Sequence, residues 1–170
     1  MDITVSEMDL PQTELVVDYF HQLRPEHLET LGVDPTRLPK PSAWRDYFRH
    51  EFALPVRERR GYFSVWMKDG RAVGFSSCDK IVFGEHAYMH LHVTSAALRG
   101  QGVGVECVRR SADLYFRVLQ LKQLFCEPNA FNVAPNRTLQ KAGFKYVKTH
   151  MTVPGPLNFH QAVTRWIWER

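Results

Sequence analysis

The sequence predicts an α/β fold: a mixed sheet with helices between some strands and tight hairpins between others. Three observations carry this. "YFSVWMK" and "RAVGFSSCD" are β runs joined at Asp69-Gly70, a strong hairpin signal. "QTELVVDYFHQL", "PSAWRDYFRHEFAL" and the stretch from Gly102 to Leu119 repeat apolar residues at helical spacing. The alternating run "EHAYMHLHV" passes through a short elbow into Arg-Gly-Gln-Gly-Val-Gly, residues 99–104, where a helix begins. The chain, residues 1–170, is read as one domain, a length that suits a single core.

In order, "DITVSEM" alternates and reads as a strand. A helix follows in which Leu15, Val16, Tyr19, Phe20 and Leu23 share a face, with Thr13 as its expected N-cap. Residues 25–55 are punctuated by proline. Within them "PEHLETLG" is a short helix closed by Gly32, and "PSAWRDYFRHEFAL" is another, with Ser42 as cap and Trp44, Tyr47, Phe48 and Phe52 on one side. Such pieces suit a cover over a cleft. After the hairpin and "EHAYMHLHV", the helix from Gly102 carries Val103, Val108, Ala112, Tyr115, Phe116 and Leu119 as its apolar stripe. "LKQLFCE", residues 121–127, is a short strand. "NVAPNRTLQKAGF" is a helix ending at Gly143. "KYVKTHMTV" and "AVTRWIWER" close the sheet, with Trp166 and Trp168 on one face as packing residues.

Composition narrows the function classes. No apolar run is long enough to span a membrane, and the first residues lack the basic start and apolar core of a signal peptide, so a cytoplasmic protein is expected. The net charge of +4 is spread along the chain rather than gathered in a stripe, which argues against nucleic acid. Cys78, Cys107 and Cys126 are odd in number and lack metal-ligand spacing, so no metal is expected and the thiols are read as reduced and buried.

The glycine loop is the informative motif. Glycines let successive backbone N–H groups turn toward one point, and the helix that follows adds its free first-turn N–H groups and positive dipole end. Together they make a phosphate site, with Arg99 as charge at its rim. No Gly-Lys-Ser/Thr follows, as a P-loop needs, and the third glycine comes one residue early for G-x-G-x-x-G. On spacing alone, a glycine-rich turn without a ligand remains the other reading. Arg99 to Gly104 resembles the R/Q-x-x-G-x-G/A signature of the GNAT acyl-CoA N-acyltransferases. Asn132 to Phe144 is similar to that superfamily's N-x-x-(A/S)-x-x-x-(Y/L)-x-x-x-G-F helix, in the leucine form of the branch resembling ribosomal-protein N-acetyltransferases. The element order fits as well, so the resemblance covers nearly the whole chain.

The resemblance implies the GNAT fold, a mostly antiparallel sheet with a splay between two strands, and acetyl-CoA as co-substrate. The pyrophosphate of coenzyme A would lie on the backbone of Arg99, Gly100, Gln101, Gly102, Val103 and Gly104. The pantetheine arm would run between the strands at 88–93 and 121–127, pairing near Leu91, His92, Val93 and Thr94. Asn132 would contact it, with Asn136 one turn on, while Arg137 would either meet a CoA phosphate or stand as a solvated helix residue. Many members place an acidic Tyr where this chain has Leu139, and Tyr146 is near only in sequence, so Asn136, Tyr88 or water would protonate the thiolate, or it would leave unaided.

Acetyl transfer to an amine needs a base. Period-two alternation puts Tyr88, His90 and His92 on one face and Ala87, Met89, Leu91 and Val93 on the other. Histidine suits proton abstraction near neutral pH, so His90 and His92 are catalytic candidates. The pair resembles that of arylalkylamine N-acetyltransferases, although there it lies two residues further from the loop arginine. Glu127, at the end of its strand, is the third candidate. The acceptor site is expected between residues 12–54 and the loop "PGPLNF", with Asn158 and His160 as its polar groups. The expected function is transfer of an acetyl group from acetyl-CoA to a primary amine of a small molecule, by direct attack in a ternary complex. A protein N-terminal acetyltransferase and a non-catalytic acyl-CoA-binding module are the alternatives, and a homodimer is compatible with all three.

Overall fold

The computed structural model describes residues 2–98 and 100–170. The elements run β1 (Ile3–Glu7), α1 (Glu14–Gln22), α2 (Pro25–Thr30), α3 (Pro41–Ala53), β2 (Tyr62–Lys68), β3 (Arg71–Val82), β4 (His86–Val93), α4 (Val103–Val118), β5 (Gln123–Cys126), α5 (Val133–Ala142), β6 (Lys145–Thr152) and β7 (Gln161–Glu169). The strands form one sheet in the order β1-β2-β3-β4-β5-β7-β6. Only β4 and β5 run parallel, joined through α4, while every other neighbouring pair is antiparallel. The predicted hairpin is present: Lys68 faces Arg71, and Asp69 (φ +49°) and Gly70 (φ +77°) make the two-residue turn that matches strand twist. No helix among the described residues is long and apolar enough to cross a membrane.

Each face of the sheet has its own core. On one side α4 and α5 pack Val103, Val108, Ala112, Tyr115, Leu119 and Leu139 against Tyr62, Met89 and Leu124. The apolar stripe read from α4's periodicity is this buried face. A buried polar network fixes α4's height on the sheet. The Tyr115 hydroxyl bonds Ser64 Oγ (2.9 Å) and Ser76 Oγ (2.7 Å), and Trp66 Nε1 donates to Ser111 Oγ (2.8 Å). On the other side α1, α2 and α3 lay Val16, Phe20, Leu28, Trp44 and Phe48 over Val65 and Phe75. This is the expected cover.

Several local expectations are corrected. Thr13 does not cap α1: its hydroxyl turns back to the Leu10 carbonyl. The helical turn starts earlier, capped by a reciprocal pair in which Asp9 Oδ1 accepts from Gln12 N (2.8 Å) and Gln12 Oε1 from Asp9 N (2.9 Å). Ser42 lies inside α3, which opens on Pro41 at its first position, where a missing N–H costs nothing. Tyr47, though more than a third exposed, packs on Phe48 as expected (5.5 Å between ring centroids). The strand expected over 121–127 spans only Gln123–Cys126, since Pro128 lacks the N–H that would extend the ladder.

Candidate active site

The short β5 opens the site. It pairs with β4 only from His86 to Met89, opposite Gln123 to Cys126. β4 runs on to Val93 with β3 as its sole partner. The Thr94 N–H donates to the Val73 carbonyl (3.0 Å), so by antiparallel alternation Leu91 and Val93 aim their backbone groups the other way, into the gap. The gap widens into a cleft of about 1370 Å³. A single-ligand pocket usually holds ~300–1,000 Å³, so two ligands can share this one.

At one end the cleft is lined by Gly100, Gly102, Val103 and Gly104. Gly100 (φ +80°) and Gly102 (φ +74°) adopt left-handed conformations, and among the described residues no atom beyond their chain neighbours lies within 4 Å of where a Cβ would stand on either. The backbone there is an open cradle. No side chain caps α4 at Gly102, so its first-turn N–H groups and positive dipole end are available to an anion. These features fit a pyrophosphate. Of the other loop residues, Arg99 lies outside the described residues. Gln101 accepts from Lys68 Nζ (3.3 Å), and the Val103 side chain belongs to the core.

Leu91, His92, Val93, Thr94 and Asn132 all line the cleft. Asn136 does not. Its Nδ2 donates to the Asn132 (2.8 Å) and Asn129 (3.1 Å) carbonyls, and its Oδ1 accepts from Trp166 Nε1 (2.8 Å). It ties the start of α5 to β7 and presents nothing to a pantetheine arm. Leu139 is wholly buried. Tyr146 is exposed and bonds Thr149 Oγ1 (3.1 Å), and Tyr88 stacks on Phe125, so neither hydroxyl borders the cleft. His160 is likewise outside it, whereas Asn158 is part of the wall.

His90 and His92 share a face, as alternation requires, but not an environment. His90 Nε2 is 2.9 Å from Asp79 Oδ1. Burial draws its proton affinity down, but the charge and hydrogen bond of Asp79, helped by Glu127, outweigh that and hold His90 above its ordinary pKa. With Nε2–H donated to Asp79, Nδ1 is the nitrogen that can take a proton. The loop after β6 closes over this pair: a Cβ on Gly155 would sit 3.3 Å from the His90 ring and 2.7 Å from Asn158 Oδ1. Lys80 Nζ holds that loop through the Pro154 carbonyl (3.0 Å). His92 sits among Phe75 (4.9 Å), Phe20 (5.0 Å) and Tyr19 (5.1 Å), ring to ring. Its Nδ1 is buried without a hydrogen bond, and burial, then the charge of His90, push its pKa down to about 3. It stays neutral.

Glu127 reaches the cleft, but its carboxylate is engaged. Oε2 lies 3.1 Å from Arg165 Nε and 3.2 Å from His150 Nε2, with the side chain only 4% exposed. Asp79, His150 and Arg165 were not singled out from sequence. Asp79 had a faint signal, since a hairpin sets it diagonally across from His90. Cys78 and Cys126 also line the cleft, and burial raises both thiols, which keeps them from acting as thiolates.

Residues 12–145 match the family model of the acetyltransferase (GNAT) domain. A search of curated protein sequences found no match. Among solved structures, the fold is similar to ribosomal-protein-S5-alanine acetyltransferase from Vibrio fischeri (15% identity, TM-score 0.77, covering 99% of this chain and 93% of that one). It is also similar to spermidine N-acetyltransferase from Vibrio cholerae, solved with CoA and spermine (11% identity, TM-score 0.77, 98% and 95% covered). A third is an aminoglycoside acetyltransferase in complex with coenzyme A (16% identity, TM-score 0.71, 99% and 95% covered).

Proposed function

The chain belongs to the acetyltransferase (GNAT) family, and on that premise we propose that it acetylates the primary amine of a small molecule by direct attack, with His90 as general base and Asp79 as its positioning partner. The observation that carries this is the Asp79–His90 hydrogen bond at the mouth of the β4–β5 gap.

Acetyl-CoA supplies the thioester carbonyl and a thiol leaving group. The glycine cradle and the first turn of α4 would hold its pyrophosphate, and the outward backbone groups of Leu91 and Val93 would take its pantetheine amides. An alkylamine is mostly protonated at pH 7, and freeing it costs about 4–5 kcal/mol, from roughly 3.4 pKa units at 1.36 kcal/mol each. His90 accepts the amine proton at Nδ1, and Asp79 steadies the imidazolium that results. As the N–C bond forms and the C–S bond breaks, a free β4 N–H stabilises the oxyanion. A thiol of pKa ~8.5 leaves without a dedicated side-chain acid, in keeping with a buried Leu139. The raised, protonated thiols of Cys78 and Cys126 favour direct attack over an acyl-cysteine relay.

Only neutral His90 accepts a proton, so kcat/KM rises with pH through a pKa above the ordinary histidine value. Thiol release followed across pH tests this. His90→Gln is expected to lower kcat by about a hundredfold or more. Asp79→Asn removes the group that raises His90, so its acid limb moves to lower pH. Wild-type rates and profiles in both variants would refute the assignment.

A further inference from the structure

The chemistry of the acceptor can be read from what lines the cleft beyond His90. Six rings border it there: Tyr19, Phe20, Trp44 and Tyr47 from the cover, Phe63 and Phe75 from the sheet. Tyr19, Phe20, Trp44 and Phe75 are already packed on one another, Phe20 stacked on Trp44 (5.5 Å between centroids) and Tyr19 edge-on to Phe75 (5.3 Å), while Tyr47 and Phe63 both pack on Phe48. Leu31, Val33 and Leu157 line the cleft as well. Among the described lining residues only Asp79 and Glu127 are acidic, and both are committed, Asp79 to His90 and Glu127 to Arg165 and His150. Arg37 also lines the cleft and is paired with Asp34 (3.6 Å).

An acceptor with several ammonium groups would therefore bury its extra charges against rings and leucines, with no free carboxylate to meet them. A neutral ring or branched alkyl body gains from the same surface. We propose that the acceptor is a primary amine borne on an apolar, ring-containing body that carries no second cation. This rests on the acetyl-transfer reading above.

The test compares 4-methylbenzylamine with p-xylylenediamine, one body bearing one or two amines, and with spermidine. Thiol release is measured with the full chain and acetyl-CoA, and binding by calorimetry with the CoA-loaded chain. The monoamine is expected to exceed both polyamines about tenfold or more in kcat/KM and in affinity, the penalty for an uncompensated cation. Tyr47→Ala should raise KM for the monoamine severalfold, with Tyr47→Phe restoring it, because the ring and not the hydroxyl makes the contact. Polyamines equal to or better than the monoamine would overturn the proposal, as would an undetectable monoamine complex or a Tyr47→Ala variant of unchanged KM. If the binding order holds but no amine is acetylated, the acceptor chemistry stands and the acetyl-transfer reading falls.

Discussion

His90 and His92 stand two residues apart on one face of β4, yet the fold gives them opposite titration behaviour. Alternation alone could place them together. It could not show that a carboxylate meets one and three aromatic rings enclose the other. Asp79 meets His90 diagonally across the regular part of the β3–β4 register, just before it shifts between Asp79 and Val82 where Lys80 takes φ +47°. For His92 the consequence is a stability effect with a definite sign. Its folded pKa is held at about 3, against ~6.5 in an unfolded chain. Between those values the unfolded state binds a proton that the native state refuses, so the stability it allows is whole above pH ~6.5 and is lost as pH falls toward 3. His92→Phe suits the same ring-lined space and removes that proton. Its urea midpoint should fall less between pH 7 and pH 4.5 than that of the unsubstituted chain. Equal falls would show that His92 titrates normally.

At the scale of elements, α5 shows what a motif transmits and what it does not. The spacing from Asn132 to Gly143 marks a helix with a glycine C-cap, and the structure has both, Gly143 at φ +112°. The same spacing put Asn136 on the pantetheine side, one turn from Asn132. What turned it inward is an acceptor need elsewhere: the buried Trp166 indole N–H requires a partner, and Asn136 Oδ1 is it. Asn136→Ala should cost about 1–3 kcal/mol in denaturant unfolding, through an orphaned donor. The KM for acetyl-CoA should stay within about twofold, since the side chain lies off the cleft. A large KM change at unaltered stability would restore the cofactor role. Strands and helices were legible because periodicity is local. Caps and strand ends were less so: α1 starts on a two-residue reciprocal cap at Asp9 and Gln12, and β5 stops early at a proline.

At the scale of the whole molecule, the acceptor wall depends on contacts no local pattern could disclose. The Gly32 carbonyl, at the end of α2, accepts from Asn158 Nδ2 (2.9 Å), Gln161 Nε2 (2.8 Å) and the Phe159 N–H (3.3 Å). Gln161 Oε1 in turn accepts from Asn129 Nδ2 (2.9 Å), just beyond the end of β5. One buried glutamine thus joins the cover, the β6–β7 loop and the floor of the cleft across sequence separations of 129 and 32 residues. Gly32 must be glycine for it: φ is +73°, and a Cβ would stand 1.9 Å from the Gln161 side chain. Gln161→Leu keeps the bulk and removes both the donor and the acceptor. Asn129 then loses its partner, and stability should fall by about 1–3 kcal/mol, a melting shift of roughly 2–4 °C per kcal/mol at this size. The kinetic effect should be lopsided. The bond anchors the acceptor wall and touches neither the glycine cradle nor the free edge of β4, so KM should rise for the amine more than for acetyl-CoA. Equal changes in the two would mean that the cleft loosens as one body and that the cover is not a separable acceptor wall.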